Sequence, residues 1–197
     1  MAAREEILAT LRRNAGPPRP RPSLDGLAAS FPDLPARFVE AVAAVGGTAL
    51  RVADRAAADA ALRALPVHRQ ARRMVSLAAG IGSSTFDPAA VADPHALDGL
   101  DLVVLEGTLG VAENGAVWVE GASLPHRALV VIPEHLAVVV AAASLVPDLG
   151  AAYARLDLAG RPRWGIFLAG PSKTADIEQA LVIGAHGARS ATVLVIG

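Results

Sequence analysis

Cysteine is missing from all 197 residues. That excludes disulfides, a thiolate nucleophile and any iron–sulfur cluster held by thiolates of this chain. Redox chemistry would therefore need a bound cofactor or a partner. Aromatic residues are scarce, at 4% of the chain, so an interior has to be built from Ala, Val and Leu. The net charge of −1 leaves no excess of either sign. No basic stripe is interleaved with aromatics, which speaks against a nucleic-acid-binding face. The longest apolar run, Leu136 to Val146, falls well short of the ~20 residues a membrane-crossing helix needs. The amino terminus, MAAREEILATLRR, carries Glu5 and Glu6 inside its first apolar patch and does not read as a secretory signal. These absences point to a soluble cytoplasmic protein with no nucleic-acid and no membrane partner.

Apolar residues make up 53% of the chain, enough for a sizeable core in a single domain. Ile7, Leu8 and Leu11 stand at helical spacing. They are followed by GPPRPRPS, Gly16 to Ser23, where proline fixes φ and removes donors, so the chain is an extended tether. Residues 1–34 thus read as an N-terminal helix and Pro-rich linker, and residues 35–197 as one α/β domain. Within it, helices are predicted around Phe38–Val45, from an Asp54 cap through Leu65, over Val146–Leu156 and over Thr174–Ile183. Strands are predicted at Thr48–Ala53, Met74–Ala78, Asp101–Leu105, Ala116–Glu120, Ala128–Ile132, Leu136–Ala141, Trp164–Ala169 and Ala191–Ile196. Alternation at both ends implies an α/β sheet with helices on both faces. The strand-rich middle, residues 101–141, implies a hairpin-like insertion in a mixed sheet.

Three stretches could carry chemistry. The first is GPSKTADIEQALVIGAHG, Gly170 to Gly187. Read as the mouth of a helix after a strand, it offers Ser172, Lys173 and Thr174 to an anion. Asp176 and Glu178 would fall in the first turn and complement the helix dipole instead, so capping and ligand contact both stand open. The second is GIGSST, where Gly82, Ser83, Ser84 and Thr85 follow a strand and could wrap a phosphate or carboxylate, or form a flexible turn. The third is LEGTLGVAENGAVWVEG. Asn114-Gly115 suits a tight hairpin, while Glu106 and Glu113 sit near strand ends, where a partly desolvated carboxylate could act as base or nucleophile. The histidines, among them His126, His135 and His186, lack metal-ligand spacing, and no G-x-S-x-G elbow is present.

GPSKTADIE followed by VIGAHGARSATVLVIG resembles the C-terminal signature of the lactate utilization protein C family, the LUD domain. GVAENGAVWVEG, LVVIPEHLAVVV and ASLVPDLGAAYARL follow the same order, from about Val39 to the C-terminus. The resemblance implies a NagB/RpiA/CoA-transferase-like fold, three α/β/α layers around a mixed, mostly parallel sheet. It also implies a part in bacterial oxidation of L-lactate to pyruvate. Iron–sulfur lactate-utilization proteins would be the partners and would carry the clusters, with no cofactor and no metal in this chain. This chain would bind a small anionic or phosphorylated ligand, and could form a homo-oligomer. Two positions depart from the family's habit. Asn114 stands where Thr or Ser is common, and Lys173 where Arg is more usual, with loss of the planar fork that grips a carboxylate.

AENG also resembles the motif around the catalytic Glu of class I CoA transferases. By that resemblance Glu113 would be the nucleophile of a CoA-transferase; a sugar-phosphate isomerase-like enzyme using Glu113 is a further alternative. A non-catalytic scaffold is the remaining alternative.

Overall fold

The computed structural model describes residues 2–17, 20, 22–23, 26, 28–156, 164–177 and 180–197, and gives the backbone alone at residues 2, 175–177 and 180. In chain order the elements begin with α1 (Ala2–Asn14), α2 (Leu34–Ala44), β1 (Thr48–Val52), α3 (Arg55–Ala64), α4 (Pro66–Gln70) and β2 (Met74–Ser76). Next come β3 (Leu102–Glu106), β4 (Leu109–Val111), β5 (Ala116–Glu120), β6 (His135–Ala141), β7 (Leu145–Val146) and α5 (Leu149–Arg155). The chain finishes with β8 (Gly165–Leu168), β9 (Lys173–Ile177), β10 (Ala180–Ile183) and β11 (Ser190–Ile196).

The expected mostly parallel sheet is present. Five strands run in the order β1-β11-β6-β3-β2, every neighbouring pair parallel. Its strands are apolar at nearly every position because both faces are covered. Val103 and Leu105 of β3, Val138 and Val140 of β6, and Val193 and Val195 of β11 point to one side. Leu102, Val104, Ala137, Val139 and Leu194 point to the other, where Ala58 and Leu62 of α3 meet them. Each Val or Leu among them, fully buried, contributes roughly 1.5–3 kcal/mol of transfer free energy.

Local signals set the helices. Asp33 accepts from Ala36 N at 2.9 Å to start α2, and Asp54 accepts from Ala57 N at 2.7 Å to start α3, as its type and place predict. α2 buries Phe38, Ala41 and Val42. The strand-rich middle builds a layer of its own, a four-stranded sheet ordered β7-β4-β5-β8. Val117 and Val119 of β5 and Leu145 of β7 pack into the core shared with the central sheet. Leu109, Val111, Trp118 and Val146 face outward beneath Ala152 of α5.

Two predicted elements are different in the structure. Residues Ala128–Ile132 form no strand; Arg127–Val130 is a 3-10 turn. Pro125 and Pro133 bracket it and restrict the chain on both sides. The described residues of Thr174–Ile183 form no helix. β9 and β10 are an antiparallel hairpin, pairing Ile183 with Lys173, Val182 with Thr174 and Ala180 with Ile177. Thr174, Ile177, Val182 and Ile183 are β-branched, which favours the extended chain. A short apolar run fits a period of 2 as well as one of 3.6, and Leu181 within it is 62% exposed. Gly184, with φ +78°, follows β10. Glu178, expected in the first turn of that helix, lies outside the described residues.

Candidate functional site

The predicted site residues occupy three separate places. Ser172, Lys173, Thr174 and Asp176 sit on or beside β9. The strand before them, β8, is antiparallel to β5, so the rule that ligands bind at the carboxyl ends of a parallel sheet does not apply there. Ser172 N donates to Ala188 O and Ser172 O accepts from Gly184 N, both at 2.9 Å. Lys173 Nζ lies 3.2 Å from where a Cβ on Gly46 would stand. Gly46 closes α2 just before β1, so the ammonium sits at the negative end of that helix. This is the amino edge of the central sheet.

Gly82 and Ser83 lie beyond the carboxyl end of β2, on the opposite edge, and Ser84 and Thr85 run back beside β2 to its first residue, Met74. Most of their polar groups are already engaged. Gly82 N donates to Asp59 Oδ1 at 2.7 Å. Ser84 Oγ accepts from Ser76 N at 2.9 Å, and Thr85 Oγ1 accepts from Met74 N at 3.1 Å. The two hydroxyls extend the β2 edge like an added strand. The Asp59 carboxyl is held below its usual range by the Arg63 guanidinium and then by the Gly82 N–H. Ser83 is exposed beside a 320 Å³ cavity lined by residues 76–80 and 82–84.

Glu113 and Asn114 form the turn between β4 and β5. Asn114 Oδ1 accepts from Ala116 N at 3.0 Å, holding the turn. Gly115 has φ +70°, and a Cβ there would stand 2.6 Å from Val42 N. Glu113 is exposed; its N–H donates to Pro147 O at 2.9 Å and its carbonyl accepts from Arg37 at 3.2 Å. Its carboxylate faces Leu149 N at 3.4 Å, on the rim of a 520 Å³ cavity. The Glu113 turn thus meets α2 at Arg37 and at Val42, whereas Lys173 meets the residue that closes it, Gly46.

The carboxyl edge also holds an ion pair whose basic partner, Arg55, no sequence motif announces. Glu106, at the end of β3, is gripped by both terminal nitrogens of Arg55 at 3.0 and 2.8 Å. Arg55 donates further to Ala79 O at 2.8 and 2.6 Å, and the bond to Glu106 raises its pKa. This fork ties α3 to β3 and to the loop after β2, and it takes up Glu106, the second predicted carboxylate.

On the side of the second sheet, a 380 Å³ cavity is lined by Thr108, Leu109, Glu120, Ala143, Ser144, Arg155 and Leu156. Thr108 follows the carboxyl end of β3, and Ser144 follows that of β6. Arg155 ends α5 and Glu120 ends β5. Among the described residues, Arg155 has no ion pair or hydrogen bond, and the hydroxyls of Thr108 and Ser144 have no partner. No spacing rule links residues 108, 120, 144 and 155, so sequence reasoning missed them. Their one shared signal is position, each at the end of an apolar element.

The model of the LUD domain family matches residues 95–196, just over half of the chain. The chain belongs to the LUD domain family. This is the lactate-utilization family that its C-terminal blocks resemble. The matched LUD span contains all of β3 to β11 and therefore the whole Arg155 cavity, Glu113 and the β9–β10 hairpin. It leaves out Arg55 and the loop from Gly82 to Thr85. A crystal structure of a DUF162 family protein from Deinococcus radiodurans is similar, with a TM-score of 0.58 and 21% identity. The likeness covers 83% of this chain and 96% of that one. At that identity it shows the fold. Among curated proteins, none matches this LUD chain.

Proposed function

We propose that this protein is a subunit of a bacterial system that oxidises L-lactate to pyruvate. It works in the cytoplasm beside iron–sulfur partner proteins and binds a small anion. The observation that carries this reading is the LUD family match across residues 95–196. Two further features support it. The 197 residues hold no cysteine, so thiolate-ligated clusters belong on partners. The carboxyl edge of the central sheet, where open α/β sheets receive ligands, carries a guanidinium and two hydroxyls that have no partner among the described residues.

Deletion of the gene in its host tests the reading. Growth on L-lactate should stop, growth on glucose should continue, and the wild-type gene should restore the first. The tagged chain should also bring down iron–sulfur proteins from lactate-grown cells. Unimpaired growth on lactate after deletion would overturn the proposal.

A second reading, acyl transfer through Glu113, is favoured by its exposed carboxylate on the rim of the 520 Å³ cavity. Incubation with acyl-CoA should then add mass at Glu113, and the addition should be absent in Glu113→Gln. An unmodified peptide dismisses it.

A further inference from the structure

Oppositely charged side chains that line one cavity ordinarily pair across it when they can reach. Arg155 and Glu120 line the same 380 Å³ cavity, yet no ion pair joins them. Glu120 Oε1 accepts from Trp118 Nε1 at 2.9 Å. That bond fixes the carboxylate and leaves Oε2 without a partner among the described residues. Trp118 itself is held under Phe167, ring centroids 4.7 Å apart, so the anchor is rigid. Thr108 is fixed by its own N–H, which donates to Trp118 O at 3.0 Å, and its hydroxyl is spare. The cavity thus offers a cation, two hydroxyls and a lone carboxylate oxygen in a volume equal to about a dozen waters.

That set selects among small anions. Sulfate has no proton at neutral pH, so Glu120 would only repel it; phosphate would have to give a P–OH to Glu120 and bring its remaining, larger charge against that carboxylate. A 2-hydroxy monocarboxylate matches each part. Its carboxylate takes the guanidinium fork of Arg155 and the hydroxyls of Thr108 and Ser144. Its own hydroxyl donates to Glu120 Oε2. A 2-oxo acid has no proton to give, so it would leave the carboxylate of Glu120 facing an oxygen of the same polarity.

We infer that the Thr108–Glu120–Ser144–Arg155 cavity is a binding site for a 2-hydroxy carboxylate, with Glu120 reading the hydroxyl. The choice of ligand class rests on the lactate role proposed above; the place of the site rests on the cavity. The hydroxyl-to-carboxylate bond is charge-assisted, so L-lactate binds about tenfold more tightly than pyruvate.

Isothermal titration of the full chain with L-lactate, pyruvate and inorganic phosphate tests this, with thermal melting to confirm that each variant is folded. Arg155→Gln should weaken lactate and pyruvate alike by tenfold or more. Glu120→Gln keeps an acceptor for Trp118; it should weaken lactate, spare pyruvate and so narrow the preference. Arg69→Gln, an exposed position of α4 outside the cavity lining, should change neither. Three results overturn the inference: wild-type protein that takes none of the three, phosphate bound more tightly than lactate, or lactate binding that survives Arg155→Gln. The failures are separable. Loss of lactate growth on gene deletion together with unaltered binding in Arg155→Gln sinks the site alone. Site-dependent lactate binding together with normal lactate growth after deletion sinks the functional reading alone.

Discussion

The turn at Ala112–Gly115 and the cavity around Arg155 are both polar, and their polar groups are used in opposite ways. In the turn they are spent inward. Asn114 closes the backbone through Ala116 N, the Glu113 carbonyl anchors Arg37, and Gly115 lets the turn press on the backbone of α2. In the cavity they are left over, since Arg155, Thr108 and Ser144 bond to nothing among the described residues. Spent groups hold a fold and spare ones are free to meet a ligand. Residues that look chemical in a sequence can belong to the first kind.

The comparison breaks if the turn tolerates change. Gly115→Ala forces a positive φ on a residue with a side chain and drives its Cβ to 2.6 Å from Val42 N. We expect a loss of about 3 kcal/mol, which lowers the melting temperature by roughly 6–12 °C. Calorimetry measures it, and a melting temperature within two degrees of wild type would remove the contrast.

A second spent group sits on the amino edge. Asp101 accepts from Arg72 N at 2.7 Å and Arg73 N at 2.8 Å, and these bonds, that from Arg73 first, hold its carboxyl below the usual range. A carboxyl with a lowered folded-state pKa stabilises above its ordinary pKa and loses that stabilisation as pH falls through the lower value. Denaturant unfolding should therefore show wild-type stability dropping on acidification below about pH 4. Asp101→Asn should cost about 1.5 kcal/mol at neutral pH, little for two charged bonds because solvent screens them. It should also flatten the acid limb.

Asn114→Ala, which removes one acceptor from the turn, should cost about 1 kcal/mol. The smallest change is expected at the spare group. Arg155→Gln should alter stability by less than ~0.5 kcal/mol, because it breaks no bond among the described residues. A larger loss on chemical denaturation would show that Arg155 is structural and would sharpen the contrast against the proposed site.

Much of the scaffold was legible from local chemistry. Asp54 announces α3 through the N–H groups that a helix start leaves open. Val138–Val140 announce a strand covered on both faces because no polar side chain interrupts them. The hairpin at β9–β10 was not legible, since Ile177, Ala180 and Leu181 suit a helical stripe as readily as alternate positions of two short strands. At the site, the hydroxyls of Ser84 and Thr85 were readable as donors. Their engagement with Met74 and Ser76 was not, because it depends on how the loop folds back along β2.

The sequence by itself determined the apolar aliphatic core, the absence of chain-borne thiolates, most element boundaries and the LUD relationship. Each of these is written in residue type or in spacing along the chain. Only the tertiary structure decided which polar groups are spent and which are spare. Hydrogen bonds satisfy themselves between neighbours in space, and residues 108, 120, 144 and 155 become neighbours only when the second sheet packs against the first.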